Sequence, residues 1–295
     1  MTLPRSLSLA VLLFFCATSA RAEIALQDDT GATVRLAAPA RRIVSLAPHI
    51  TENLYAAGAG AHLVGAVDYS DYPAAATRLP RVGGYSMPDL EAIVALEPDL
   101  VLTWQSGNSD AVVNKLKALG LTVYQSQPEQ LEDIPAGIEK MGRLAGTEAV
   151  ANQSASAFRQ RLASLRRQAA GKAAVPMFYQ VWHRPLLTVG GSQIITDVIR
   201  LCGGDNVFAA LPAKAPSVGI EAVLAADPEA IVASGMGRGT PIGLDEWRRW
   251  KQLRAVARNN LFHVPADFMQ RPTPRLLDGA EQLCRHLETA RTRRP

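Results

Sequence analysis

Between Thr147 and Gly171 the chain contains neither proline nor an internal glycine, and Phe158, Leu162, Leu165 and Ala169 recur at i, i+4, i+7 and i+11. That spacing lays one apolar stripe along a single helix. Thr147 can cap its start, and Glu148 suits the positive end of the helix dipole. At 1.5 Å per residue the segment reaches about 35–40 Å. A rod of that length in the middle of 295 residues leaves two stretches of chain in which to build cores, one on each side.

Both stretches alternate short apolar strands with helices. On the N-terminal side, Ile24 to Leu36 with Asp28-Asp29-Thr30-Gly31 at its centre reads as a β-hairpin. Strands are then expected at Arg42 to Leu46, Leu63 to Val67, Leu100 to Trp104 and Leu121 to Gln125, with helices at Thr51 to Gly58, Leu90 to Leu96 and Ala111 to Leu119. On the C-terminal side the expected strands begin at Met177, Ala230 and Leu261. The expected helices there are Gln193 to Leu201, Trp247 to Val256 and Arg275 to Leu287. Such alternation specifies βαβ units and a parallel sheet. The expected fold is therefore α/β: two Rossmann-like lobes, residues 23–146 and 172–295, joined by one rigid helix over 147–171, behind a leader over 1–22. A repeat supports two related lobes. Glu91-Ala-Ile-Val-Ala-Leu-Glu-Pro-Asp-Leu-Val-Leu is matched by Glu221-Ala-Val-Leu-Ala-Ala-Asp-Pro-Glu-Ala-Ile-Val. Each is a helix, a proline stop and a strand, begun by a glutamate.

The leader has the three parts of an export signal: Arg5, an apolar run from Leu7 to Ala17, and a small-x-small cleavage site at Ala20-Arg21-Ala22. The run is too short to span a bilayer. Cys16 raises the question of lipidation, but Phe15 precedes it where a small residue would be needed. Cleavage after Ala22 gives a periplasmic or secreted protein starting at Glu23. Arg5 and Arg21 leave with the leader, so the net charge of +4 overstates how basic the working protein is. Arg166-Arg167 and Arg248-Arg249 fall on helical patterns as solvated faces, and no cluster suits nucleic acid. Removing Cys16 leaves Cys202 and Cys284. In an oxidising compartment they read as one disulfide, with two buried free thiols as the alternative.

Motifs of catalysis are missing. There is no G-x-S-x-G, no H-E-x-x-H, no Walker A loop and no corrinoid-ligating D-x-H-x-x-G. The five histidines, His49, His62, His183, His263 and His286, show no paired metal spacing, so no metal site is expected. Gly235-Met-Gly-Arg-Gly239 follows a strand but lacks the acidic partner of a dinucleotide site, and reads as a loop. The placing of the aromatics is more informative. Tyr69, Tyr72, Trp104, Trp182 and Phe268 sit at or beyond expected strand ends, and Tyr85 lies in Gly83-Gly84-Tyr85-Ser86-Met87. Open α/β sheets bind ligands outside the carboxyl ends of their strands. Large flat side chains there suit a large, flat, partly apolar ligand. Trp247 and Trp250, at helical spacing with Leu244 and Leu253, read as core.

Three runs carry a resemblance: Arg42-Ile-Val-Ser-Leu-Ala-Pro-His-Ile-Thr-Glu-Asn-Leu-Tyr-Ala-Ala-Gly58, Tyr69-Ser-Asp-Tyr-Pro73, and Leu90 through Trp104. They resemble the substrate-binding proteins of ABC importers for vitamin B12, siderophores and haem, over nearly all of the mature chain. Tyr69-Ser-Asp-Tyr-Pro73, Trp104-Gln-Ser-Gly-Asn108 and Asp267 through Arg275 are most similar to the B12-binding branch, as is Cys202-Gly-Gly-Asp-Asn-Val-Phe208 with Gln282-Leu-Cys284, which looks like that branch's disulfide pair. The resemblance implies the class III periplasmic binding protein fold, with ligand held between lobes that close modestly. It places Tyr69, Tyr85, Trp104, Asp267 and Arg271 against a corrinoid, and Glu91 and Glu221 against basic residues of a permease. Three positions depart from the branch. Tyr85 stands for a tryptophan, a tryptophan is missing near Lys214-Ala-Pro216, and Trp182 is an added aromatic.

The expected function is capture of cobalamin or a related corrinoid as transported ligand, with no cofactor and no catalysis, and delivery to the permease and ATPase of an ABC importer. Tyr69, Tyr85, Trp104 and Trp182 would contact the corrin, Asp267 and Arg271 would bond its amides, and the protein would act as a monomer. A haem binder of the same fold would need an axial Tyr69, His49 or His183. A siderophore binder would need converging arginines, for which only Arg271 and Arg184 are placed. An exported α/β enzyme or sensor is the alternative from a different class.

Overall fold

The computed structural model describes residues 23–234 and 243–295. The leader with Cys16 and its cleavage site, and the Gly235 to Gly239 loop, lie outside the described residues. The chain opens on an antiparallel hairpin, β1 (Ile24–Gln27) with β2 (Thr33–Leu36). Asp28 fixes its turn by accepting from the backbone N–H groups of Thr30 and Ala32 at 2.9 and 3.0 Å.

The first sheet then forms from β3 (Ile43–Ser45), β4 (Leu63–Ala66), β5 (Leu100–Trp104) and β6 (Val123–Ser126), in the order β4-β3-β5-β6. Its helices are α1 (Pro48–Ala56), α2 (Leu90–Ala95) and α3 (Asp110–Ala118), followed by α4 (Asp133–Ala145). The long helix α5 (Glu148–Ala169) comes next. The second sheet forms from β7 (Val175–Gln180), β10 (Gly204–Asn206), β11 (Ala230–Ala233) and β12 (Leu261–His263), in the order β10-β7-β11-β12. A small hairpin of β8 (Trp182–His183) and β9 (Leu186–Leu187) follows β7. The helices here are α6 (Ile194–Leu201), α7 (Ile220–Ala226), α8 (Arg254–Ala257), α9 (Ala266–Met269) and α10 (Leu276–Thr292).

Every pairing within the two four-stranded sheets is parallel. Numbered in chain order, each sheet runs 2-1-3-4, so the halves share one topology. The repeated segments occupy the same place in each: α2 leads into β5 and α7 into β11, the third strand of its sheet. Ile43, Val44, Leu100, Val101, Leu102, Ile231 and Val232 are fully buried, as strands covered by helices on both faces require.

The rod expected in the middle of the chain is α5, 22 residues or about 33 Å long. Phe158, Leu162 and Leu165 of its stripe are buried, in one apolar cluster with residues of both sheets. Thr147 does not cap it through its side chain. The hydroxyl donates instead to the Ala57 carbonyl at 2.7 Å, tying the helix start to the end of α1.

Several elements differ from the sequence expectation. Helix α4 was not foreseen, because Pro135, Gly137 and Gly142 interrupt its pattern, yet Ile134, Ile138, Met141 and Leu144 make a buried stripe. Gly142 is required there: a Cβ would lie 2.3 Å from that of Ala151 on α5. Trp247 to Val256 is not one helix but a 3-10 turn at Asp245–Arg249 followed by α8. The break has a cause: Asp227 accepts from the Arg254 N–H at 2.9 Å and restarts the helix. Trp247, Leu244 and Leu253 are core as expected, while Trp250 is half-buried under the guanidinium of Arg249. Strand β10 and the β8–β9 hairpin were too short to show a period. Finally, α10 runs on to Thr292, and Arg291 secures that end by donating to the carbonyls of Ala173, Cys202 and Gly203.

Cys202, just after α6, and Cys284 on α10 form a disulfide with sulfurs 2.01 Å apart. The free-thiol alternative is thereby set aside.

Candidate functional site

In a sheet of order 2-1-3-4 the connections leave strands 1 and 3 in opposite directions, which opens a crevice at their carboxyl ends. In the first sheet those strands are β3 and β5, and in the second β7 and β11. Trp104 is the last residue of β5. Its own loop packs it: Gly107 lies so close that a Cβ there would stand 1.9 Å from the indole. Asn108, buried, then ties three segments together. Its carboxamide oxygen accepts from the Trp104 backbone N–H at 2.6 Å, and its amide donates to the carbonyls of Leu46 beyond β3 and of Tyr85 at 3.2 and 2.6 Å. One side chain thus sets the distance between both switch-point strands and the Tyr85 loop. The Tyr85 ring lies 5.8 Å from Trp104, and His49 meets the indole edge-on at 5.2 Å.

Tyr69 follows β4 with φ +62°, a left-handed conformation that a bulky residue adopts only when its surroundings enforce it. Here the Thr51 hydroxyl lies within hydrogen-bond distance of the hydroxyls of Ser45 and Ser70, and Arg81 donates to the carbonyls of Val67 and Ser70. The phenol is left 78% exposed. Tyr69, Tyr72, Tyr85 and Met87, the last 82% exposed, are four of the seven exposed large apolar residues among those described. Tyr85 and Met87 belong to the loop that meets Trp104, Tyr69 and Tyr72 to the loop after β4 that is bonded to it through the Asp68 N–H and the Gly83 carbonyl, and exposed apolar groups gathered in this way mark a binding surface.

The second half contributes from α9 and the turn after it. Asp267 is exposed, and Gln270 donates to Ser234 beyond β11 at 3.2 Å. Arg271 reaches across to the first half. Nη1 donates to Glu52 at 2.8 Å and to Asp71 at 2.7 Å, and Nη2 donates to the Tyr69 carbonyl at 3.2 Å. Nη2 also lies 3.3 Å from Asp267. Burial opposes the charge on Asp71, but the Arg271 hydrogen bond and charge outweigh it and hold that carboxyl below its ordinary pKa. Burial, with Arg271 adding to it, pushes His49 down to about 3, so this imidazole is neutral.

The structure therefore brings Tyr85 against Trp104, and Arg271 joins Asp267 to the Tyr69 backbone across the two halves. Trp182 lies on the β8–β9 hairpin just past the carboxyl end of β7, its indole donating to the Arg184 carbonyl at 3.0 Å. Glu91 and Glu221 are exposed in the first turns of α2 and α7, at equivalent places in the two halves. Arg184 pairs with Glu246 at the surface and has no part in the Arg271 cluster. Sequence reasoning missed Glu52, Asp71, Met87 and Asn108 as site residues. Asn108 closes the Trp104 run already singled out. Glu52 carried no signal beyond its place in a helical pattern. Among the described residues no group of three or more metal-binding side chains occurs, and no helix is long and apolar enough to cross a membrane.

A family profile described as "Periplasmic binding protein" matches residues 43–268. The chain is 40% identical over 255 residues to the vitamin B12-binding protein of Vibrio cholerae, covering 85% of this chain and 91% of that one. The crystal structure of a periplasmic vitamin B12 binding protein of Vibrio cholerae superposes with a TM-score of 0.79 at 39% identity, covering 86% of this chain and 98% of that one. A periplasmic haem-binding protein of Pseudomonas aeruginosa shares the fold, with a TM-score of 0.73 at 24% identity over 83% of this chain and 91% of that one.

Proposed function

The chain belongs to the periplasmic binding protein family, and from that premise we propose that it captures cobalamin or a related corrinoid between its two halves and hands it to an ABC importer. The observation that carries the reading is the aromatic surface at the strand ends of the first half, Trp104 with Tyr85 against it and the exposed Tyr69, toward which Arg271 of the second half reaches. A corrin ring offers broad apolar faces and a fringe of amides, which calls for aromatic surface with a few polar groups at its edge. The likeness to named vitamin B12-binding proteins over most of the chain supports the same ligand. Tyr69, Tyr85 and Trp104 would lie against the ring, with Trp182 as an outlying contact, and Asp267 would accept from an amide. Arg271 already has both Nη groups engaged, so it would meet the ligand chiefly through what remains of its fork.

In this reading residues 23–146 and 172–295 act as lobes, the helix over 147–171 holds them, and the protein works as a periplasmic monomer after cleavage behind Ala22. The reading assigns no chemical step to any residue. A haem binder would take its axial ligand from Tyr69 or His183, since His49 is buried edge-on against Trp104.

Titration of the purified mature protein with cyanocobalamin, haemin and a ferric siderophore, followed by calorimetry and visible spectra, tests the ligand. Saturable 1:1 binding of cyanocobalamin is expected, and tighter binding of haemin would overturn the reading. Glu91 and Glu221 would each offer one anion to a two-fold permease. Charge reversal at both is expected to abolish uptake while leaving ligand affinity within a few fold, and uptake at the wild-type rate would remove them from that role.

A further inference from the structure

Two guanidinium groups from the second half converge on one carboxylate of the first. Glu52 lies on α1 with its side chain only 2% exposed. Arg271 donates to its Oε1 at 2.8 Å. Arg275 donates through Nε to Oε2 at 2.9 Å and through Nη2 to Oε1 at 2.5 Å. Other contacts reinforce the junction. Asn53, the next residue on α1, donates to the Pro272 carbonyl at 3.0 Å. Arg275 also stacks its guanidinium over the Tyr72 ring at 3.9 Å. Residues 271–275 are thus tied to α1 and to the Tyr69–Tyr72 loop by contacts more than 200 positions apart in sequence. A carboxylate so far from water persists as an ion only when it is paired and hydrogen-bonded, and removing its charge leaves the partners uncompensated.

Among the described residues one other ion pair joins the opposing loops, Lys214 with Glu129 at 2.7 Å, and both its partners are about half exposed. The topology sets the two bridges at opposite edges. Glu129 follows β6 and Lys214 follows β10, whereas Tyr69 and Asp71 follow β4 and Arg271 follows β12. Each of these is an edge strand of its sheet. One edge of the cleft is joined by a buried, multiply bonded network. The other is joined by a solvated pair of the kind worth about 0–1 kcal/mol.

We propose that Glu52 is a positioning residue for ligand capture: it pins Arg271 and Arg275 to α1, so that the β4/β12 edge of the cleft stays joined and the halves part at the β6/β10 edge. Arg271 is then preset beside Tyr69 before any ligand arrives, and the ligand has one rim of the cleft to close rather than two. This inference rests on the reading that ligand occupies the cleft.

The test uses the mature protein with spin labels at exposed positions in each half, introduced as Ala75→Cys and Lys251→Cys. Distances are measured without ligand, and the release rate of cyanocobalamin is measured in parallel. Glu52→Gln keeps the shape and removes the charge. It is expected to broaden the distance distribution and to speed release at least tenfold. Arg275→Gln is expected to act in the same direction and stands in if Glu52→Gln does not fold. Glu129→Gln is expected to leave both readouts within twofold. Wild-type distances and wild-type release in Glu52→Gln, or in Arg275→Gln if that is the variant in hand, would overturn the role of Glu52. A wild-type protein that does not bind cyanocobalamin would overturn the ligand reading instead, and the ligand-free distances would still decide on Glu52.

Discussion

The Trp104 ring is held from two directions, by the Gly107 backbone beneath it and by the His49 imidazole, while Asn108 accepts from the Trp104 backbone N–H. The ring therefore meets a ligand without first losing rotamer freedom, which is how an aromatic anchor becomes a hot spot. Trp104→Ala is expected to weaken cobalamin binding by about 2 kcal/mol or more, with little change in the ligand-free melting temperature, as calorimetry and thermal denaturation would show. His49 behaves differently. It is buried and neutral, with its pKa lowered from 6.5 to about 3 by burial first and Arg271 second. Below pH 6.5 the unfolded chain takes up a proton that the folded one refuses. Its contribution to stability is thus complete above pH 6.5 and is lost as pH falls toward 3, by up to about 1.4 kcal/mol per pH unit. Melting temperatures of the wild type should fall between pH 7 and 4.5, and His49→Asn should flatten that slope. It should not abolish the slope, because burial also lowers His263 and His286. Equal slopes in the two proteins would remove His49 from the account.

Among the elements, the turn from Trp104 to Asn108 positions the site most directly. It takes the chain from β5 to α3, whose start Ser109 caps by accepting from the Val112 N–H. The turn works only with glycine at 107, since any Cβ enters the indole ring. Gly107→Ala is expected to displace the tryptophan and weaken cobalamin binding about tenfold, about 1.4 kcal/mol, without unfolding the protein. Near-normal affinity with quenching of tryptophan fluorescence unchanged would show that the ring need not sit where it does. The α2–β5 and α7–β11 repeat was legible in the chain because it combines a helix period, a proline stop and an apolar run. Helix α4 was not legible, because close packing on α5 demanded a glycine inside it, and glycine in a helix reads locally as a break.

On the scale of the molecule, the disulfide closes a loop of 82 residues between α6 and α10. The chain-entropy model gives such a closure up to about 4–5 kcal/mol. The double substitution Cys202→Ala with Cys284→Ala should lower the melting temperature clearly and leave cobalamin affinity within a few fold, because neither cysteine touches the aromatic cluster or the Arg271 network. A melting temperature equal to that of the wild type would mean that α10 is held by its apolar face and by Arg291 alone. The long helix contributes to the same end. Its stripe belongs to one apolar cluster shared by both sheets, so relative motion of the halves has to be accommodated at the loops that face across the cleft.

The sequence by itself determined the α/β class of fold, the repeated helix–proline–strand segment, the long central helix and the aromatics beside strand ends. Each of these rests on signals local in the chain: a period of 3.6, short apolar runs, proline stops and residue type beside a strand. The tertiary structure alone decided the partners of those aromatics: Trp104 packs with Tyr85 and His49, whereas the Trp182 indole donates within its own hairpin. It alone showed that Arg271, expected as a ligand donor, is first a link to Glu52 and Asp71. A buried ion pair joins residues more than 200 positions apart. No local pattern records it, because the cost of burying a charge is settled only by what the fold brings against it.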